Sequence, residues 1–207
     1  MYETVASLRS PAGIVVTPLG VTPRGGRLQA RIYPSTRLSA AADNAYEACL
    51  SLPYSPHVYA YALLSPSRLS LEEPEAISTP CASPAPARIE AVIEKRLRGS
   101  SYTVLYLSPI HVSIDGAAVR GYTRALGCMI EALIAYTRVR HWSRRLTRNC
   151  GLAERWHRAL LYAAGCVEHS APGSRQLLDI MARLKASALD MMAEGGCPPP
   201  RGDGYPQ

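Results

Sequence analysis

The stretch from Tyr2 to Tyr33, YETVASLRSPAGIVVTPLGVTPRGGRLQARIY, decides the fold. Three runs in it, Tyr2 to Arg9, Ile14 to Val21 and Arg27 to Tyr33, are short and rich in β-branched and apolar residues. Ser10-Pro11-Ala12-Gly13 and Pro23-Arg24-Gly25-Gly26 lie between them. Proline and glycine there reverse the chain, so two hairpins in succession are expected, an antiparallel meander.

Downstream, Pro34-Ser35-Thr36 ends the third run, and Ser35 or Thr36 can cap a short alanine-rich helix reaching about Ala42. Ala45 to Leu52 returns to strand. The run 65–88 carries Pro66, Pro74, Pro80, Pro84 and Pro86, which excludes a long helix or a central strand. It is expected to be an ordered surface excursion. As an accessory loop it could be shortened at little cost, since loop-closure entropy changes slowly with length. Ile89 to Leu97 and Tyr102 to Ile114 read as two more strands.

From about Arg120 the periodicity becomes helical. Ala125 to Tyr136 is apolar on most sides, the pattern of a helix buried between layers. Leu152, Trp156, Leu160 and Ala163 mark one face of the next helix, and Leu177, Met181, Leu184 and Ala188 one face of the last. Residues 195–207, with Pro198-Pro199-Pro200, read as a disordered tail. Strands first and helices last point to the α+β class.

Hydrophobic residues make up 47% of the 207 and charged residues 19%, enough for a folded core. Of 23 basic residues only Lys95 and Lys185 are lysines. The net charge of +7 fits an anionic partner, but an arginine-biased proteome produces the same count without one and is the favoured reading. Six cysteines (Cys49, Cys81, Cys128, Cys150, Cys166, Cys197) form no CxxC pair, so free thiols in a cytoplasmic protein are expected. No leader-like opening and no run of about 18 apolar residues is present, so neither secretion by signal nor a membrane span is expected.

No metal site is read from the sequence: His57, His111, His141, His157 and His169 never fall at ligand spacing, and Cys166 with His169 alone is too few. A GxGxxG turn, a P-loop and a GxSxG elbow are all missing, so catalytic residues stay unassigned. Chemistry on such a chain must come from a cofactor, for which the protein supplies position and electrostatics.

Arg31-Ile32-Tyr33-Pro34-Ser35-Thr36-Arg37 is the most suggestive constellation. Two hydroxyls and a guanidinium meet where a strand ends and a helix begins, so backbone N–H groups and charge-assisted bonds could converge on one phosphate. An ordinary helix cap with a solvated arginine reads the same residues equally well.

Two further motifs carry a resemblance. One is Tyr2-Glu3-Thr4-Val5 with Val16-Thr17-Pro18-Leu19-Gly20-Val21. The other is Tyr122-Thr123-Arg124-Ala125, Gly127-Cys128-Met129-Ile130-Glu131-Ala132-Leu133-Ile134 and Thr137-Arg138. Together they resemble the FMN-binding split-barrel proteins catalogued as domain of unknown function 447, common in archaea, over nearly all the chain to about Leu184.

That resemblance implies an antiparallel split β-barrel of FMN-binding type with a helical C-terminal extension. The barrel would span 1–118, including the excursion 65–88, with helices over 119–194 packed on it. It also implies a cytoplasmic homodimer with FMN at the subunit interface, related to flavin reductases and pyridoxamine-phosphate oxidases and of oxidoreductase type. The electron donor is not named.

By position, Thr17 and Pro18 would present backbone to the flavin ring, and Ser35, Thr36 and Arg37, beside Tyr33, would hold the phosphate. Arg124 is a further candidate for an anionic group. Ala40 and Ala48 stand where family members usually carry asparagine, which removes polar groups near the pocket; a degenerate barrel that has lost FMN is the corresponding alternative.

Arg124, Glu131 and Arg138 recur every seven residues, a stripe that faces either a ligand or interface, or water. The runner-up function is arginine-dependent nucleic-acid binding: Arg138, Arg140, Arg144, Arg145 and Arg148 crowd around His141 and Trp142, though a solvated helix end is the favoured reading of the same residues and a nucleic-acid partner is not expected.

Overall fold

The computed structural model describes residues 2–34, 36–115, 124–144 and 146–198. Two compact units divide the chain near Gly121. The first contains strands β1 (Tyr2–Ser10), β2 (Gly13–Arg24), β3 (Arg27–Ile32), β4 (Glu47–Ser51), β5 (Ser70–Glu72), β6 (Cys81–Ser83), β7 (Ala87–Arg98) and β8 (Thr103–Ile114), with helices α1 (Arg37–Ala42) and α2 (Pro56–Leu64). The second contains helices α3 (Arg124–Ser143), α4 (Cys150–Ser170) and α5 (Arg175–Glu194).

Six strands close a barrel in the order β1-β2-β3-β8-β7-β4, every neighbouring pair antiparallel. The meander expected from the opening stretch is its first half. Gly25 and Gly26 both sit at positive φ between the paired Arg24 and Arg27, the backbone that a tight two-residue hairpin demands and glycine supplies. Alternate residues point inward: Ala6 and Leu8, Leu19 and Val21, Leu28, Ala30 and Ile32, Ala48 and Leu50, Ala91 and Ile93, Leu105 and Leu107. Each large aliphatic buried this way contributes about 1.5–3 kcal/mol. Leu38, Ala41 and Ala42 of α1 join the same core, so the short helix packs on β1 and β2.

The outward residues of β1, β4 and β7 are also buried, among them Val5, Ser7, Cys49, Ser51 and Glu90. The proline-rich excursion covers them, and it corrects the expectation of an accessory loop. Cys49 is bonded to Cys81, and Thr79, Ala82 and Ser83 are buried. The Glu90 carboxylate accepts from the N–H groups of Glu75, Ala76 and Ile77 at 2.9, 2.7 and 3.1 Å. Burial would raise the Glu90 pKa, but these three donors and nearby His111 hold it below the usual carboxylate range. Glu47 accepts from the Ser78 N–H and hydroxyl, and Arg9 donates to the Ser78 carbonyl. The excursion is therefore a cover pinned from three strands.

Helix α2 occupies a stretch where no element was expected. Pro56 sits in its first turn, where a missing N–H costs nothing, and the Tyr59 hydroxyl donates to the Glu3 carbonyl at 2.8 Å.

In the helical unit, α3 packs on α4 and α5 through a wide face that includes Met129, Ala132, Leu133, Tyr136 and Val139. The buried stripe of α5 is Leu177, Met181, Leu184 and Ala188, with Ile180 and Met192. That of α4 runs through Ala153, His157, Leu160, Ala163 and Val167. Leu152 and Trp156, expected on it, are only half-buried. Asn149 and Ser174 cap α4 and α5.

The free thiols expected from the sequence are corrected as well. Cys49–Cys81, Cys128–Cys166 and Cys150–Cys197 are disulfides, and among the described residues no cysteine is free. Cys197 is buried, so residues 195–197 close the helical unit instead of opening a tail; 199–207 lie outside the described residues. No helix among the described residues is long and apolar enough to cross a membrane.

Candidate functional site

Strand β3 is half the length of its neighbours β2 and β8, and this mismatch makes the site. Its ladder to β2 covers only Val21 to Arg24, whereas β1 pairs with β2 from Gly13 to Val21. Residues Ile14 to Gly20 therefore have a strand on one side alone among the described residues, and the other edge offers backbone N–H and C=O groups. Pro18 sits in this one-sided segment, as a proline inside a sheet must.

The open edge begins where the ladder from β3 to β2 ends, at Ala30; Arg31 and Ile32 pair with β8 alone. Continued on the same register, the ladder would set Ile32 against Leu19 and Pro34 against Thr17; the chain instead turns at Pro34 into α1, which packs on β1 and β2. Tyr33, Thr36 and Arg37 lie where the chain leaves β3 for α1, and α1 packs on the strand that carries Thr17 and Pro18.

Thr36 is the N-cap of α1. Its hydroxyl accepts from the Ser39 N–H at 3.0 Å and donates to the Tyr33 carbonyl at 3.0 Å. The Ser39 hydroxyl in turn accepts from the Thr36 N–H at 3.2 Å and donates to the Thr36 carbonyl at 2.9 Å. Both hydroxyls are spent on the capping box. What stays available to an anion is the exposed Arg37 guanidinium, which meets no ion-pair partner among the described residues, and the first-turn N–H groups of α1. Arg96 donates to the Ala42 and Ala45 carbonyls, fixing the other end of the helix.

Tyr102 stands beside Tyr33 and was missed from the sequence. Its ring meets Tyr33 edge-on at 6.3 Å, and the Arg31 guanidinium lies 5.1 Å from its centroid. The register Ile32 to Thr103 brings these residues together, a pairing that no local pattern announces.

Ser35 and Arg145 lie outside the described residues. Arg124 starts α3 in the helical unit and is exposed, as is Glu131, with Arg138 half-exposed. Ala48 faces the barrel core and Ala40 is exposed. His141 and Trp142 meet edge-on at 4.6 Å instead of forming one flat platform, and burial together with Arg138 and Arg144 lowers the His141 pKa.

No family model and no curated protein matches the chain. Solved structures do. An FMN-bound protein from Methanosarcina mazei, described under domain of unknown function 447, aligns with a TM-score of 0.69 at 16% identity, over 90% of this chain and 94% of its own. The flavin reductase HpaC in complex with NADP+ gives 0.51 at 8% identity over 59% and 82%. An FMN-binding protein from Thermus thermophilus with bound 1-cyclohex-2-enone gives 0.50 at 9% over 57% and 73%. The chain resembles these proteins in fold, the architecture that its motifs led us to expect.

Proposed function

We propose that this chain is a flavoprotein that binds FMN at the barrel end where the open edge of β2 meets the loop from β3 to α1. The observation that carries the reading is the short ladder of β3, which leaves Thr17 and Pro18 without a strand on one side among the described residues, on a strand against which α1 packs. A flat ring can lie against that edge and take backbone hydrogen bonds from it. Arg37 and the first turn of α1 hold the phosphate, with Ser35 added by the family position, while Thr36 fixes the loop through its cap. FMN supplies hydride or single-electron transfer when bound; the chain's residues bind it, orient it and shield it from water. The likeness in fold to flavin-binding proteins supports an oxidoreductase-like role.

The working unit in this proposal is a homodimer. Strand β8 outruns β3 at the opposite end, so residues 108–114 pair only with β7 among the described residues. That segment exposes Ile110 (49%), Val112 (54%) and Ile114 (71%) on one face. A second copy covers this strip; the flavin at a subunit interface, and Arg124 as a further contact to an anionic group, are carried over from the family position alone. The cytoplasm is the proposed location; the three disulfides fit either an oxidising compartment or the interior of a hyperthermophile.

Absorbance of the purified protein, followed by FMN titration of the stripped protein, tests the flavin assignment. Near-UV and blue flavin bands that return on adding FMN are expected. A colourless protein that takes up no FMN refutes the assignment.

A further inference from the structure

We propose that the helical unit carries a separate anion site, which takes a phosphate-bearing small molecule between the end of α3 and the segment that follows α5. A cavity of about 520 Å³ opens there, within the range of small-molecule sites. Arg140, in the last turn of α3, lines it with Arg144 and Arg148; the carboxylate in the lining is Glu194.

Like charges one helical turn apart repel, and Arg140 is also partly withdrawn from water. Burial first, and Arg144 second, press its pKa down. An anion in the cavity offsets both costs. Among the described residues of the lining three guanidiniums face one carboxylate, an excess of positive charge that suits a phosphate better than a lone carboxylate. Arginine forks are also suited to phosphate oxygens. The volume exceeds what a bare phosphate fills, and Met191 supplies an apolar contact for the rest of the molecule.

The cavity wall is built and not accidental. Gly195 crosses so close to Ser143 that a Cβ there would overlap the Ser143 carbonyl oxygen. Arg148 donates to the Gly195 carbonyl at 3.4 Å, and the Cys150–Cys197 disulfide ties down the chain two residues later. Ser143, also in the lining, is buried, and its hydroxyl has no hydrogen-bond partner among the described residues. It is a donor without an assigned acceptor.

The test is calorimetric titration of pyrophosphate into the full oxidised chain carrying Arg37→Ala, which disables the phosphate seat proposed in the barrel. Binding is expected to persist there. Adding Arg140→Ala should weaken it about ten- to a hundredfold, the usual cost of a lost charge-assisted contact. Arg140→Lys, which keeps the charge without the fork, should fall between. If Arg140→Ala fails to unfold cooperatively by tryptophan fluorescence, Glu194→Gln replaces it and should tighten binding.

No binding in the Arg37→Ala protein overturns the proposal, as does indifference to Arg140 or weakening by Glu194→Gln. A single-stranded oligonucleotide that binds through Arg140 where pyrophosphate does not also overturns it, and assigns the patch to nucleic acid.

Discussion

The barrel has two overhangs made by the same cause and used in opposite ways. Residues 14–20 of β2 and 108–114 of β8 both outrun the short β3, and each keeps one edge without a strand among the described residues. Against the strand of the first packs α1, which follows Tyr33 and carries the capping box and Arg37. The second presents Ile110, Val112 and Ile114. An unpaired edge is only an offer of backbone hydrogen bonds; the neighbouring side chains decide whether a polar ligand or another protein surface takes it.

The largest expected effect breaks the apolar member of the pair. Val112→Glu with Ile114→Glu would bury two charges in the proposed contact, each costing several kcal/mol. Sedimentation should then find only monomer at concentrations where the wild type is dimeric, with the thermal midpoint of the barrel nearly unchanged. Wild-type protein that is already monomeric contradicts the assignment of that edge.

A second test contrasts the open edges with the outer face of β7, which the chain covers by itself. Glu90→Ala leaves three N–H groups facing an emptied buried site and should cost about 3–5 kcal/mol in urea unfolding, with Glu90→Gln costing less. A change within ~0.5 kcal/mol would mean that the excursion is held without Glu90, by Cys49–Cys81, Glu47 and Arg9.

A smaller effect separates the helical unit from the barrel. His157 is buried in α4 with neither ring nitrogen hydrogen-bonded among the described residues, and burial lowers its pKa despite Glu154. A depressed histidine pKa means that the unfolded chain binds the proton more readily. The stability it protects is therefore complete above about pH 6.5 and declines as pH falls below it toward the folded value. Trp142 and Trp156, the chain's two tryptophans, both lie in the helical unit, so their fluorescence reports it alone. Acidification from pH 7 to 5.5 should lower its unfolding midpoint, and His157→Gln should reduce that slope. His141, lowered for a similar reason, supplies what remains.

Much of this was legible along the chain, and the exceptions share one cause. Alternation and the Gly25-Gly26 turn identify the first three strands, and Pro34-Ser35-Thr36 marks the helix start because a cap is a local device. Closure of the barrel through β4 depends on two ladders, to β1 and β7, that no local pattern encodes. The disulfides join cysteines 32 to 47 residues apart, and the value of Glu90 lies in backbone donors 13 to 15 residues before it. At the site, Pro18 and Pro109 inside strands were available signals of one-sided edges. That the Thr36 hydroxyl is consumed by its own helix was not, since the same three residues spell a cap or a phosphate seat.

The most direct measurement compares two flavins that differ in one phosphate. FMN and riboflavin are titrated by fluorescence against the wild type and Arg37→Ala. Arg37→Ala should weaken FMN by roughly ten- to a hundredfold, as loss of a charge-assisted contact of about 1.5–3 kcal/mol requires, and leave riboflavin nearly unchanged. Equal weakening of both flavins, or no binding of either by the wild type, would contradict a phosphate seat at the start of α1.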